Sequence, residues 1–129
     1  MNNAPFLVGK MLKLADELHA LYCKEMRDNK LPPQLVGNTL MTAALDSPVQ
    51  ALSQLALRIK PYYGWAQTFR GAESGKLVGY FIGLFGDTAS QLAKLELPSR
   101  FNDAERAQLL LGYLAAHPKK GDTSLLENN

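Results

Sequence analysis

A chain of 129 residues lies in the one-domain range and is long enough to bury a core without metal or disulfide staples. Its 47 % hydrophobic content excludes general disorder, its single cysteine, Cys23, excludes an internal bridge, and its longest apolar run, 77–85, covers only about half of the roughly 20 residues a membrane-spanning helix needs. A formal charge of +2 neither demands nor excludes nucleic acid, because the layout of charge over the surface decides that.

From Pro5 to about Arg27, apolar residues return at helical spacing. Leu7, Met11, Leu14, Leu18 and Leu21 form one line, and Val8, Ala15 and Tyr22 widen it. Lys10, Lys13, Glu17, Lys24 and Arg27 take the opposite side, which predicts a long helix with a mostly basic outer face. Asn29 and Pro32-Pro33 end it, since proline lacks the backbone donor that continuation requires. A shorter helix is predicted from about Pro33 to Leu45, with Leu35, Val36, Leu40, Met41 and Ala44 on its apolar side.

Ser47, Pro48 and Gln50 then occupy the cap, first-turn and capping-box positions of a helix that buries Leu52, Leu55, Ala56 and Ile59. Pro61 either kinks this helix or begins a fresh one that carries Tyr62, Trp65 and Phe69 along one side to about Phe69. Trp65 and Phe69 read as a core seam, whereas Tyr63 faces elsewhere and is the better candidate for surface stacking.

Gly71 to Gly75 reads as a turn, followed by a strongly apolar helix from about Lys76 to Leu95. Gly75, Gly79, Gly83 and Gly86 lower its intrinsic propensity and leave a ridge that another helix could approach closely, so this helix is expected at the centre of the bundle. Asn102 caps the last helix, with Glu105 at its third position, and Ala107, Leu110, Leu111 and Leu114 are expected to be buried. No strand-like alternation or internal repeat is sustained. The predicted architecture is all-α, a compact bundle of five or six helices over residues 1–117 with a flexible, disordered tail over 118–129. MNNAPF carries neither a basic segment nor a secretory run, so the expected location is cytoplasmic.

No catalytic set emerges. GAESGKL resembles a phosphate loop, but three residues rather than four separate Gly71 from Gly75, and Leu77 stands where Ser or Thr belongs. His19 and Cys23, four apart, supply two ligands where a structural zinc site needs four, and His117 adds no spacing. Cys23 is expected to pack and His19 to be partly exposed. Asp16, Glu17, Glu25 and Asp28 sit on a helix balanced by Lys and Arg, with Glu17 paired to Lys13 and Asp28 to Lys24 as a solvated face. No metal, cofactor or catalytic residue is therefore assigned.

The cations are the remaining functional candidates. Lys10, Lys13, Lys24 and Arg27 would span about 25 Å of one helix, several phosphate spacings, although Glu17 interrupts the stripe. Arg58, Lys60, Arg70 and Lys76 form a second possible patch around the aromatic segment. Both patches are also compatible with plain solvated faces. Phe6, Met26 and the 77–85 run supply apolar surface that would suit a protein neighbour.

Three blocks carry a resemblance. APFLVGKMLKLADELHALY (4–22), NTLMTAALDSPVQALSQLALRI (38–59) and LPSRFNDAERAQLLLGYLAAH (97–117) together resemble, in order, the C-terminal helical region of the large subunit of type I CRISPR interference complexes, especially subtype C, which is also made as a separate small subunit. The initiating MNN ahead of the first block looks like that independent form. The chain departs from the subtype C pattern after SPVQ, where LRIKPYYGWAQTF replaces a more polar, histidine-containing stretch.

The resemblance implies a non-catalytic subunit packed beside the large subunit, the repeated backbone subunits and neighbouring copies of itself, in contact with guide RNA and target DNA. Its role would be to hold unwound or displaced DNA through the backbone, base sequence being read by guide pairing. Lys10 matches the basic position of the first block. The competing expectation is a structural helical adaptor that joins proteins without touching nucleic acid.

Overall fold

The structure, a computed structural model, describes residues 3–25, 36–68 and 75–115. Its helices are α1 (Ala4–Glu25), α2 (Val36–Thr39), α3 (Met41–Asp46), α4 (Pro48–Thr68), α5 (Gly75–Ala93) and α6 (Asp103–Ala115). They form the expected all-α bundle, and no strand occurs among the described residues. The expected tail over 118–129 lies outside them.

The central helix is α1 rather than α5. It packs against each of the other five helices, whereas α5 packs on α1 and α4. The predicted line from Leu7 to Leu21 is buried, and so are Ala4, Leu12, Asp16 and His19 on other sides of the same helix. A 22-residue helix with so little solvated surface serves as the axis of the bundle.

Close backbone approach explains why α1 holds that position. An added Cβ at Gly9 would overlap the Leu109 carbonyl oxygen of α6, and one at Gly112 would overlap the Phe6 carbonyl oxygen of α1. At these two positions the absence of a side chain lets the helices touch backbone to backbone. The ridge expected on α5 behaves differently: nothing lies within 4 Å of a Cβ placed on Gly79 or Gly83.

The helix predicted from Pro33 to Leu45 is two pieces within the described residues, α2 and α3, with a turn at Leu40 whose amide bonds to the Gly37 carbonyl at 3.0 Å. Val-Gly-Asn-Thr is a poor helix sequence. Its backbone is held instead by Asp16 of α1, which accepts from the amides of Gly37 and Asn38. Gly37 also lies directly against the Leu12 backbone.

Helix α4 continues through Pro61, which is exposed, so the chain neither breaks nor restarts there. Ser47 precedes Pro48 as expected, and its hydroxyl meets Gln50 Oε1 at 3.5 Å. Tyr62 and Trp65 pack edge-on against Tyr22 of α1, with ring centroids 5.0 and 5.3 Å away, which makes the aromatic seam a helix–helix contact. Tyr63 is not a surface stacking platform: it is half-buried against Phe85 of α5, at 5.7 Å. Ala56 and Leu52, expected in the core, are exposed and half-buried respectively. Phe69 lies outside the described residues.

The α6 capping box forms as read. Asn102 Oδ1 accepts the Glu105 amide at 2.9 Å, and Glu105 Oε1 accepts the Asn102 amide at 2.8 Å. Its buried face is Leu109 and Gly112, not the expected Ala107, Leu110, Leu111 and Leu114. The crossing at Gly9 and Gly112 sets this rotation, because only the glycine side of α6 can approach α1 so closely.

Candidate functional site

Once the core is assigned, the apolar edge of α6 and the scattered cations are the surfaces that bear on the sequence candidates, beside the exposed Val49 and Leu57 of α4. Turning Gly112 inward leaves Leu110, Leu111 and Leu114 with 47, 59 and 64 % of their surfaces exposed. At spacings of one, three and four residues they occupy adjacent positions on one helix edge. A single exposed leucine needs no explanation, but three together form a patch suited to a protein neighbour.

The eight basic candidates are not brought to one place among the described residues. Lys10 and Lys13, one turn apart on α1, are both half-buried. Lys13 Nζ lies 3.8 Å from Glu17 and 4.7 Å from the centre of the Tyr113 ring, so this ammonium supports the α1–α6 contact. Arg58 is exposed and donates to Thr39 Oγ1 at 3.2 Å, beside α3. Lys60, two residues along α4, points to its other side and lines the space between α4 and α5. Arg27 and Arg70, and the side chains of Lys24 and Lys76, lie outside the described residues, as does the predicted Asp28–Lys24 pair.

Arginines near α6 escaped the sequence reading. Arg106 bonds Asp46 at 2.8 Å and the Phe101 carbonyl at 3.0 Å, while Arg100 Nε lies 3.6 Å from Asp46. Arg106 finds this partner sixty positions away in the chain, so no local spacing announces it.

The titratable interior is structural. Asp16, expected on a solvated face, is 2 % exposed. Besides the α2 amides, it accepts the hydroxyl of Tyr113, and so ties α1, α2 and α6 together. Burial, followed by the Asp16 hydrogen bond and charge, raises the Tyr113 phenol far above its ordinary range, which keeps its proton in place as the donor.

His19 is buried rather than partly exposed, at 7 %. Its ring lies tilted against Tyr62 at 4.6 Å, Nε2 lies 3.6 Å from Cys23 Sγ, and Nδ1 has no hydrogen-bond partner among the described residues. Burial lowers its pKa, and the Asp16 charge only partly opposes this. The unfolded chain therefore takes up a proton near the ordinary value of 6.5 while the folded ring stays neutral. The resulting stability is complete above that value and is lost as pH falls toward the lowered pKa. Urea unfolding should show this decline as pH falls through about 6.5, and His19→Gln should remove that part of the slope; an unchanged slope would contradict it.

No group of three or more His, Cys, Asp or Glu comes together in metal-binding fashion among the described residues. No described helix is long and apolar enough to cross a membrane. His117 lies outside the described residues, and GAESGK contributes only the start of α5 to them.

No family model, no curated protein and no solved structure matches the chain.

Proposed function

We propose that this chain is a non-catalytic helical subunit that works inside a larger assembly, docking through the outer edge of α6. The observation that carries the reading is the exposure of Leu110, Leu111 and Leu114 on a helix whose other side is locked to α1 by Gly112. The three sequence blocks give the assembly a specific form, the small subunit of a type I CRISPR interference complex. Gly9 of the first block lies against Leu109 of the third, and Gly112 of the third against Phe6 of the first, so these blocks also build the scaffold. In that form Lys10 and Arg58 are the described cations offered to a DNA backbone, and the partners are the large subunit, backbone subunits, guide RNA and target DNA.

The test is to co-produce the chain with those subunits and guide RNA and purify through a backbone subunit. Changing Leu111 and Leu114 to Asp alters exposed positions, so the isolated fold should change by no more than about 0.5 kcal/mol. The variant is expected to drop out of the complex; retention at wild-type stoichiometry overturns the reading.

A second reading, the adaptor without nucleic-acid contact, is favoured by the engagement of Lys13 with Tyr113 and Glu17 and by the separation of Arg58 from Lys60. Changing Lys10 and Arg58 to Ala in the assembled complex separates the two. Weaker protection of the displaced strand with a shallower salt dependence supports strand holding, and unchanged protection supports the adaptor.

A further inference from the structure

We infer that the groove between α4 and α5 seats an amphipathic helix of a partner protein, one with a small apolar face and an acidic side chain opposite Lys60. The inference deepens the assembly reading and rests on it for the existence of a protein partner, but it uses a surface distinct from the α6 edge.

The groove encloses about 550 Å³. Met11 of α1 forms its floor, with Leu55 and Ile59 on the α4 side and Phe85 and Ala89 on the α5 side. Lys60 is the one charged residue among its described lining, which contains no carboxylate. An occupant that brings an acidic group to Lys60 gains attraction where a basic one meets repulsion. Charge complementarity thus selects the sign of the partner, and the apolar floor selects its inner face.

The shape selects a helix. From Leu52 to Gln67 the α4 wall runs about 22 Å, at 1.5 Å per residue, which accommodates anchors spaced over three to four helical turns. Both walls carry a position without a side chain. Nothing lies within 4 Å of a Cβ placed on Gly64, and on Gly86 such an atom would meet only the Tyr63 hydroxyl, at 3.9 Å. Glycine inside a helix costs about 1 kcal/mol relative to alanine, and no contact in the described structure compensates for that at Gly64. These bare positions leave room for the close approach of a second helix backbone.

A fluorescein-labelled synthetic amphipathic helix of 18 residues, with an Ala/Leu face and one Glu at its centre, provides the probe, read by anisotropy against the whole chain. Micromolar binding is expected, about tenfold weaker when the peptide Glu becomes Lys or when Lys60→Glu is made, and recovered when both are exchanged. Ala56→Trp, which fills the groove from an exposed position, should abolish binding while the helical circular dichroism is retained.

Absence of binding up to about 1 mM, or binding indifferent to Ala56→Trp or to the charge exchange, overturns the inference. So does capture of dodecanoate, sensitive to Ala56→Trp, in place of the peptide. The chain with Leu111 and Leu114 changed to Asp should bind the peptide as wild type does. If that variant also stays in the assembled complex, the α6 reading fails while the groove stands.

Discussion

Gly9→Ala is expected to destabilise the fold by about 3 kcal/mol, at the upper end of what overpacking costs, and Gly112→Ala by a similar amount. At both positions the new methyl group meets a backbone carbonyl of the facing helix, and no flexible side chain can yield. The helices must separate, which loosens the contact around Leu109, Val8 and Phe6 together. The control lies in the same protein: nothing lies within 4 Å of a Cβ on Gly83, so Gly83→Ala should stabilise by about 0.5–1 kcal/mol through helix propensity alone. Urea unfolding of the isolated chain measures both. Equal responses at Gly9 and Gly83 would show that α1 and α6 do not meet as described.

Asp16→Ala should cost about 3–4 kcal/mol, a large share of the 5–15 kcal/mol typical of a domain. The change strands two backbone donors of α2 and the Tyr113 hydroxyl in one step. Tyr113→Phe removes one of these bonds and should cost about 1.5–2 kcal/mol, since the lost acceptor is ionic. Because both changes break the same hydrogen bond, the double variant should fall short of their sum by about 1 kcal/mol or more. Additive effects would mean that Asp16 and Tyr113 do not share a bond. Near-wild-type stability of Asp16→Ala would return this carboxylate to the solvated face that its helical spacing suggested.

Local chemistry was legible in the sequence wherever cause and effect lie within a turn or two. The apolar line Leu7 to Leu21, the Asn102–Glu105 capping box and the Lys13–Glu17 pair depend on residues three or four apart, and all are present. The same reasoning failed for Leu110, Leu111 and Leu114. Periodicity shows that a helix has an apolar side, but α6 carries apolar residues around most of its circumference and offers two candidate faces. The candidate surface was therefore missed because its leucines looked like core. The cations were visible as residues, but not as three separate locations.

What the sequence by itself determined is the class of the molecule: an all-helical chain, punctuated by proline and glycine. Tertiary structure decided which helix lies at the centre, which side of α6 turns outward and where Asp16 finds its partners. The reason is range. Gly9 meets Gly112's helix, and Asp16 meets Tyr113 across 97 positions of chain, through contacts whose existence depends on the path of everything between them.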